Sequence, residues 1–150
     1  MKNFKLFFLS AAVLSLASCT KEGDRGPAGP AGEDANFTTE ELTVAAADFN
    51  GGNYVEYPSE VITQEVYDEG MAIAYVLDDF EYWNSIPSQW HEITGFTYST
   101  GVAGFDAVDG ITVDYTVRIV TMRSAQYEEV IELGLEKDCD ALIAYLESAK

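Results

Sequence analysis

Between Arg25 and Arg118 the chain has no lysine and no arginine, although the same span holds 17 acidic residues. The whole 150-residue sequence carries 8 basic residues against 26 acidic ones, a formal net charge of −18. Such a surface repels phosphate backbones and anionic headgroups, so nucleic-acid binding and direct membrane-surface binding are disfavoured. The charge serves solubility and resistance to self-association. Histidine occurs once, at His91, which disfavours imidazole metal sites and Ser-His-Asp triads. Gly-x-Ser-x-Gly, a phosphate-binding glycine loop, His-Glu-x-x-His and Cys-x-x-Cys are all missing. Calcium takes its oxygens from acid-rich loops, yet the Asp-x-Asp-x-Asp-Gly spacing is not there. The expectation is no cofactor, no metal site and no catalytic residue.

Long apolar runs are also lacking. The N-terminal run from Leu6 to Leu16 is 11 residues, too short for a span of roughly 20. It follows Lys2 and Lys5 and ends in the small residues Ala17 and Ser18, the layout of a secretory signal peptide. With Cys19 directly behind them, Leu16-Ala17-Ser18-Cys19 resembles a bacterial lipobox. The resemblance implies cleavage after Ser18, acyl chains on Cys19 and a membrane partnership through that anchor. Removal of residues 1–18 leaves 132 residues with 6 bases and 26 acids, a net charge of −20. That length suits one domain.

Cysteine is scarce, with two in the chain. A lipidated Cys19 leaves Cys139 without an intrachain partner. Cys139 falls in an apolar stripe and reads as a buried, inert thiol. A nucleophilic role needs a nearby base, and nothing in the spacing pairs Cys139 with His91.

What is present begins with four Gly-X-Y triplets over residues 23–34. Collagen requires this period because only glycine fits the axis of three chains. Four triplets are too few for a self-supporting triple helix, so residues 19–35 read as an extended spacer and the protein as a monomer. At ~3.1 Å per residue a polyproline II spacer reaches up to ~50 Å.

Residues 36–150 read as one β-rich globular domain with a helical tail from about residue 124. Residues 40–49 are weakly patterned. Asn50-Gly51-Gly52-Asn53 is a turn that leads into a strand over 54–57, stopped by Pro58. Thr63 caps one or two helical turns that end at Gly70. Met71 to Leu77 is apolar on both parities, which places that strand in the middle of a sandwich or under other elements. Asp109-Gly110 predicts a type I′ hairpin between Val102–Val108 and a strand beginning at Ile111, whose alternation through Ile119 gives it one buried face. Leu135, Cys139, Leu142, Ile143 and Leu146 then recur at helical spacing. A shorter helix at about 124–133 precedes them, divided off by Gly134. The fold class expected is mainly β: an antiparallel β-sandwich-like domain with a C-terminal amphipathic helix, behind a signal peptide and a Gly-Pro-rich linker.

The order of lipobox, short collagen-like spacer and small β-rich domain resembles a group of Bacteroidetes lipoproteins. Ile62-Thr63-Gln64-Glu65-Val66-Tyr67-Asp68-Glu69-Gly70 with Ala72-Ile73-Ala74-Tyr75 is similar to one of their blocks and the strand after it. Trp90-His91-Glu92-Ile93 resembles a short Trp strand of the group, and Tyr115-Thr116-Val117-Arg118-Ile119-Val120 a late strand. The resemblance implies a sandwich-like fold and brings no known activity. Thr20-Lys21-Glu22 also resembles the export signal of surface lipoproteins in that phylum. The location it implies is the cell envelope, anchored to the outer membrane and exposed at the surface.

The segment from Phe80 to Trp90 is the best binding candidate, because aromatic faces beside amides and acids suit sugar rings. Trp83 and Trp90 are its candidate ligand-binding residues; the alternative is that both plug the ends of a sandwich core. Carboxylates cluster at Asp78-Asp79-Glu81 and at Asp106 and Asp109, but glycoside hydrolysis needs two at set distances across a cleft. The function expected is a membrane-anchored, non-enzymatic surface structural or binding module with a glycan or protein ligand. The alternative is a glycan-active hydrolase using paired carboxylates. What separates them is whether acids and aromatics converge in one cleft.

Overall fold

The computed structural model describes residues 37–87 and 91–149. The lipidation expected at Cys19, the expected signal segment 1–18 and spacer 19–35, and Trp90 lie outside the described residues.

Among the described residues, seven strands form two antiparallel sheets. β1 (Thr38–Val44), β3 (Gly70–Leu77), β4 (Trp83–Ser85) and β7 (Tyr115–Arg123) make the first, in the order β1-β7-β3-β4. β2 (Tyr54–Pro58), β5 (Ile93–Ser99) and β6 (Val102–Ala107) make the second, in the order β2-β6-β5. A short helix α1 (Gln64–Glu69) joins β2 to β3, and α2 (Ser124–Leu133) and α3 (Cys139–Ser148) follow β7. The mainly β, sandwich-like reading is borne out.

Two cores flank the four-stranded sheet. Ala72, Ala74 and Val76 of β3, with Val117 and Ile119 of β7, face the three-stranded sheet and meet Ala103, Phe105 and Ala107. The opposite parity, Tyr75 of β3 with Val120 and Met122 of β7, meets Val130 of α2 and Cys139, Leu142 and Leu146 of α3. Side chains of a strand alternate between faces, so a strand in the middle of three layers must be apolar on both. This is why Met71–Leu77 shows no alternation. It also corrects the single buried face expected for β7, since Val120 and Met122 are as buried as Val117 and Ile119.

Other expectations change in instructive ways. Residues 38–44 are an edge strand paired along its whole length with β7; as an edge it needs only part of its surface apolar, and the pattern fades. Asp109 and Gly110 both have positive φ (63° and 77°), as a type I′ turn requires, yet no hairpin forms. β6 pairs with β2 and β5, while β7 pairs with β1 and β3. The turn carries the chain between sheets, β7 starts only at Tyr115, and Val113 is exposed. At the C-terminus Leu135 belongs to a 3₁₀ turn (Leu135–Lys137), and α3 starts at Cys139 behind the cap Asp138, whose Oδ1 accepts from the Ala141 N–H at 3.0 Å. Gly134, with φ 70°, separates the helices as expected. Thr63 caps α1, its Oγ1 accepting from the Val66 N–H at 3.2 Å.

The four-stranded sheet has two distinct ends. Thr38 lies opposite Thr121, beside the start of α2, whereas Val44 lies opposite Tyr115. Leu77, at the end of β3, shares the second end with Tyr115, and the cleft described next opens there.

Candidate functional site

The β3–β4 turn is built around Asp78. Its N–H donates to the Tyr82 carbonyl at 2.9 Å, and the Glu81 N–H donates to the Asp78 carbonyl at 3.1 Å. Glu81 sits in the left-handed region with φ 65°, the usual third residue of a three-residue hairpin loop. The Asp78 side chain ties the turn together. Oδ1 accepts from the backbone N–H groups of Phe80 at 2.9 Å and Tyr82 at 2.8 Å, and Oδ2 from Asn84 Nδ2 at 3.1 Å. The Tyr82 N–H bond, with those of Asn84 and Phe80, holds the Asp78 carboxyl below the usual carboxylate range because these donors favour the anion.

Facing this turn is the β6–β7 connection, which is also pinned. Glu92 accepts from the Thr112 N–H at 2.6 Å and from its hydroxyl at 2.9 Å, and Tyr115 Oη donates to it at 3.4 Å. The Thr112 bonds lower the Glu92 pKa. Asp114 Oδ1 accepts from the Ala46 N–H at 2.8 Å. Burial raises the Tyr115 pKa, and the Glu92 and Asp79 charges add to the effect.

Between the two walls lies a cleft of about 610 Å³ that brings together Asp78, Asp79, Phe80, Asn84, His91, Asp114 and Tyr115, within the size range of small-ligand sites. His91 packs edge-on to the Tyr115 ring, 5.7 Å between centroids. Its Nε2 is buried and has no hydrogen-bond partner. Phe80 is 81% exposed and Tyr82, on the same turn, 69%. A second cavity, about 510 Å³, lies between α1 and the start of α2; none of the candidate ligand-binding or acidic residues named from the sequence lines it.

Acids and aromatics therefore do converge, but not all those expected. Asp78, Asp79 and His91 line the cleft, while Asp106 and Asp109 do not. Trp83 lies on the opposite face of β4 from Asn84, packed against the helix-side core with the Arg118 guanidinium 4.0 Å above its ring. Arg118 also donates to Glu41 at 2.6 Å and lies 3.8 Å from Asp140 and from Cys139 Sγ. Cys139 is buried and free, its thiol pushed up to about 11 by burial against the lowering pull of Arg118. Sequence reasoning included Phe80 and Tyr82 in its binding segment but chose Trp83 and Trp90 from it, and it passed over Asp114 and Tyr115. The signal for the first two was Asp78 at the opening position of a turn, where a side-chain acceptor is favoured. For Asp114 and Tyr115 there was none, since their place depends on a crossing between sheets.

Compared with known proteins, the chain matches no protein-family model, no curated protein and no solved structure.

Proposed function

We propose that the protein is an outer-membrane lipoprotein, anchored through acyl chains on Cys19 and spaced by residues 19–35, whose domain binds glycan without turning it over. The observation that carries the binding reading is the pair of exposed rings, Phe80 and Tyr82, on a turn fixed by Asp78 beside a polar cleft. A flat aromatic face takes the apolar side of a sugar ring, and acceptors beside it take the hydroxyls. A glycan array with the native protein, Phe80→Ala and Tyr82→Ala tests it. Binding falls in both variants, and loss only in Trp83→Ala would contradict the site. Cys19→Ala releases the protein from the membrane fraction and removes fatty-acid labelling.

The hydrolase reading is favoured by one observation, the convergence of Asp78, Asp79 and Asp114. Against it, a general acid must keep its proton near neutral pH, and Asp78 is shifted the other way. Release of reducing ends, abolished in Asp79→Asn, would establish turnover.

A further inference from the structure

We infer that the free edge of β5 takes up an extended segment of another protein, alternately apolar and basic, as a fourth strand of the second sheet. No residue of β5 lines the cleft described above, so this surface is independent of the glycan reading.

β5 is the outermost strand of its sheet. One side of its backbone therefore has no neighbouring strand, and no backbone bond from another described element reaches it. Such edges invite pairing, and proteins block them with charge, proline, brevity or a covering element. The other three edges are blocked in these ways. β1 carries Glu40 and Glu41, and β2 carries Glu56 and ends at Pro58. β4 is 3 residues long and is bridged at Asn84 by Asp138. β5 is 7 residues long with no charged residue and no proline. Its register shift is confined to its start, between Ile93 and Gly95, and Gly95 to Ser99 pair regularly with β6.

The side chains beside this edge set the chemistry of the incoming strand. Phe96 and Tyr98 point to the core and stack on each other, 5.7 Å between centroids, yet both stay partly exposed. Apolar residues of an added strand would complete their burial. On the outer face Gly95 lies opposite Asp106. A Cβ at Gly95 would fall 2.8 Å from Asp106 Oδ2, so the missing side chain lets this carboxylate lean over β5 toward the free edge. The carboxylate has no hydrogen-bond or ion-pair partner among the described residues. A paired strand would run about 4.8 Å beyond β5, where a lysine or arginine at its outward position beside Gly95 would meet Asp106. Alternation along a strand puts the apolar and the basic residues of one segment on opposite faces, as these two surfaces require. A second copy of this chain is the poorer occupant, because two surfaces of net charge −18 repel each other.

The probe is a short peptide in which valine alternates with threonine and lysine. A counterpart carries glutamate for each lysine, and a third form is the lysine peptide with N-methylated backbone on its pairing side. Each is titrated into the full chain by calorimetry, with hydrogen exchange read on the complex. The lysine peptide should bind about tenfold or more tightly than the glutamate peptide. It should slow exchange in β5 and not in β1 or β2, and N-methylation should abolish binding. Asp106→Asn should bring the lysine-to-glutamate ratio several-fold closer to one. Glu128→Gln, which removes the same charge from the exposed side of α2, should leave it unchanged. Protection at another edge, or binding that survives N-methylation, overturns the assignment to β5. Equal affinity for the lysine and glutamate peptides, or equal losses from the two variants, overturns the basic partner. Binding of neither peptide overturns the inference as a whole. So does a dimer of the chain in sedimentation with its β5 amides protected, since a second copy would then fill the edge.

Discussion

At the scale of single residues, Glu81 and Asp78 have opposite effects on the same turn. Glu81 holds φ 65°, a conformation that costs an L-residue roughly 1–2 kcal/mol and glycine very little. Glu81→Gly should therefore stabilise the domain by about 0.5–1 kcal/mol, seen as a higher urea midpoint at unchanged slope. Asp78 and Glu92 act through pH. Both carboxyls titrate below their ordinary values because backbone N–H groups bind the anions. A depressed folded-state pKa contributes stability that is present above the unfolded carboxylate value, near 4, and is lost as pH falls through the folded value. The double variant Asp78→Asn, Glu92→Gln should flatten the acid limb of a stability–pH curve below about pH 4; an unchanged limb would assign acid sensitivity to other carboxylates. The sequence identified the aromatic segment but not which rings it presents. Tryptophan is the larger ring and drew the assignment, whereas the register of β4 decided it. With Trp83 as the first residue of β4, its ring falls on the helix side and Asn84 on the cleft side.

At the scale of elements, local chemistry was legible and partner choice was not. The Thr63 cap, the Asn50-Gly51 turn, the Gly134 stop and the apolar stripe of α3 all depend on a few adjacent residues, and all are present. Asp109-Gly110 has the backbone its sequence demands, yet a turn conformation does not dictate that its two flanking strands pair. β7 instead finds β1 and β3, more than 40 residues away in sequence. α3 is tested directly. Leu142 is fully buried against the sheet, so Leu142→Ala should cost ~2–5 kcal/mol. On the same face Cys139 remains a protonated thiol and should resist alkylation at neutral pH until denaturant is added. Rapid labelling of the native protein would detach the helix from the sheet.

At the scale of the whole molecule, β3 and β7 are the walls of both cores. Loss of the helices would expose Tyr75, Val120 and Met122, and loss of the second sheet would expose Ala74, Val117 and Ile119 from the same two strands. The cores should therefore fail together. Denaturation followed by Cys139 labelling, which reports the helix side, and by hydrogen exchange at the amides of β5 and β6, which reports the sandwich side, should give coincident transitions; two separated midpoints would contradict this. The three-layer plan was legible in part. A strand apolar on both parities announced that something covers each face, but which element does so is a tertiary fact that composition does not encode.

The two ends of the four-stranded sheet have a mechanical consequence. The chain that precedes Phe37 joins beside Thr38, and the cleft opens at the Tyr115 end. A ligand gripped in the cleft and a tether pulled from Phe37 draw β1 and β7 in opposite directions along their own length. The load then falls on the seven residue pairs from Thr38↔Thr121 to Val44↔Tyr115 simultaneously, as shear. Peeling would break them one at a time. Should the proposed anchor and a captured glycan pull on these two ends, the ladder would meet the load along its strands.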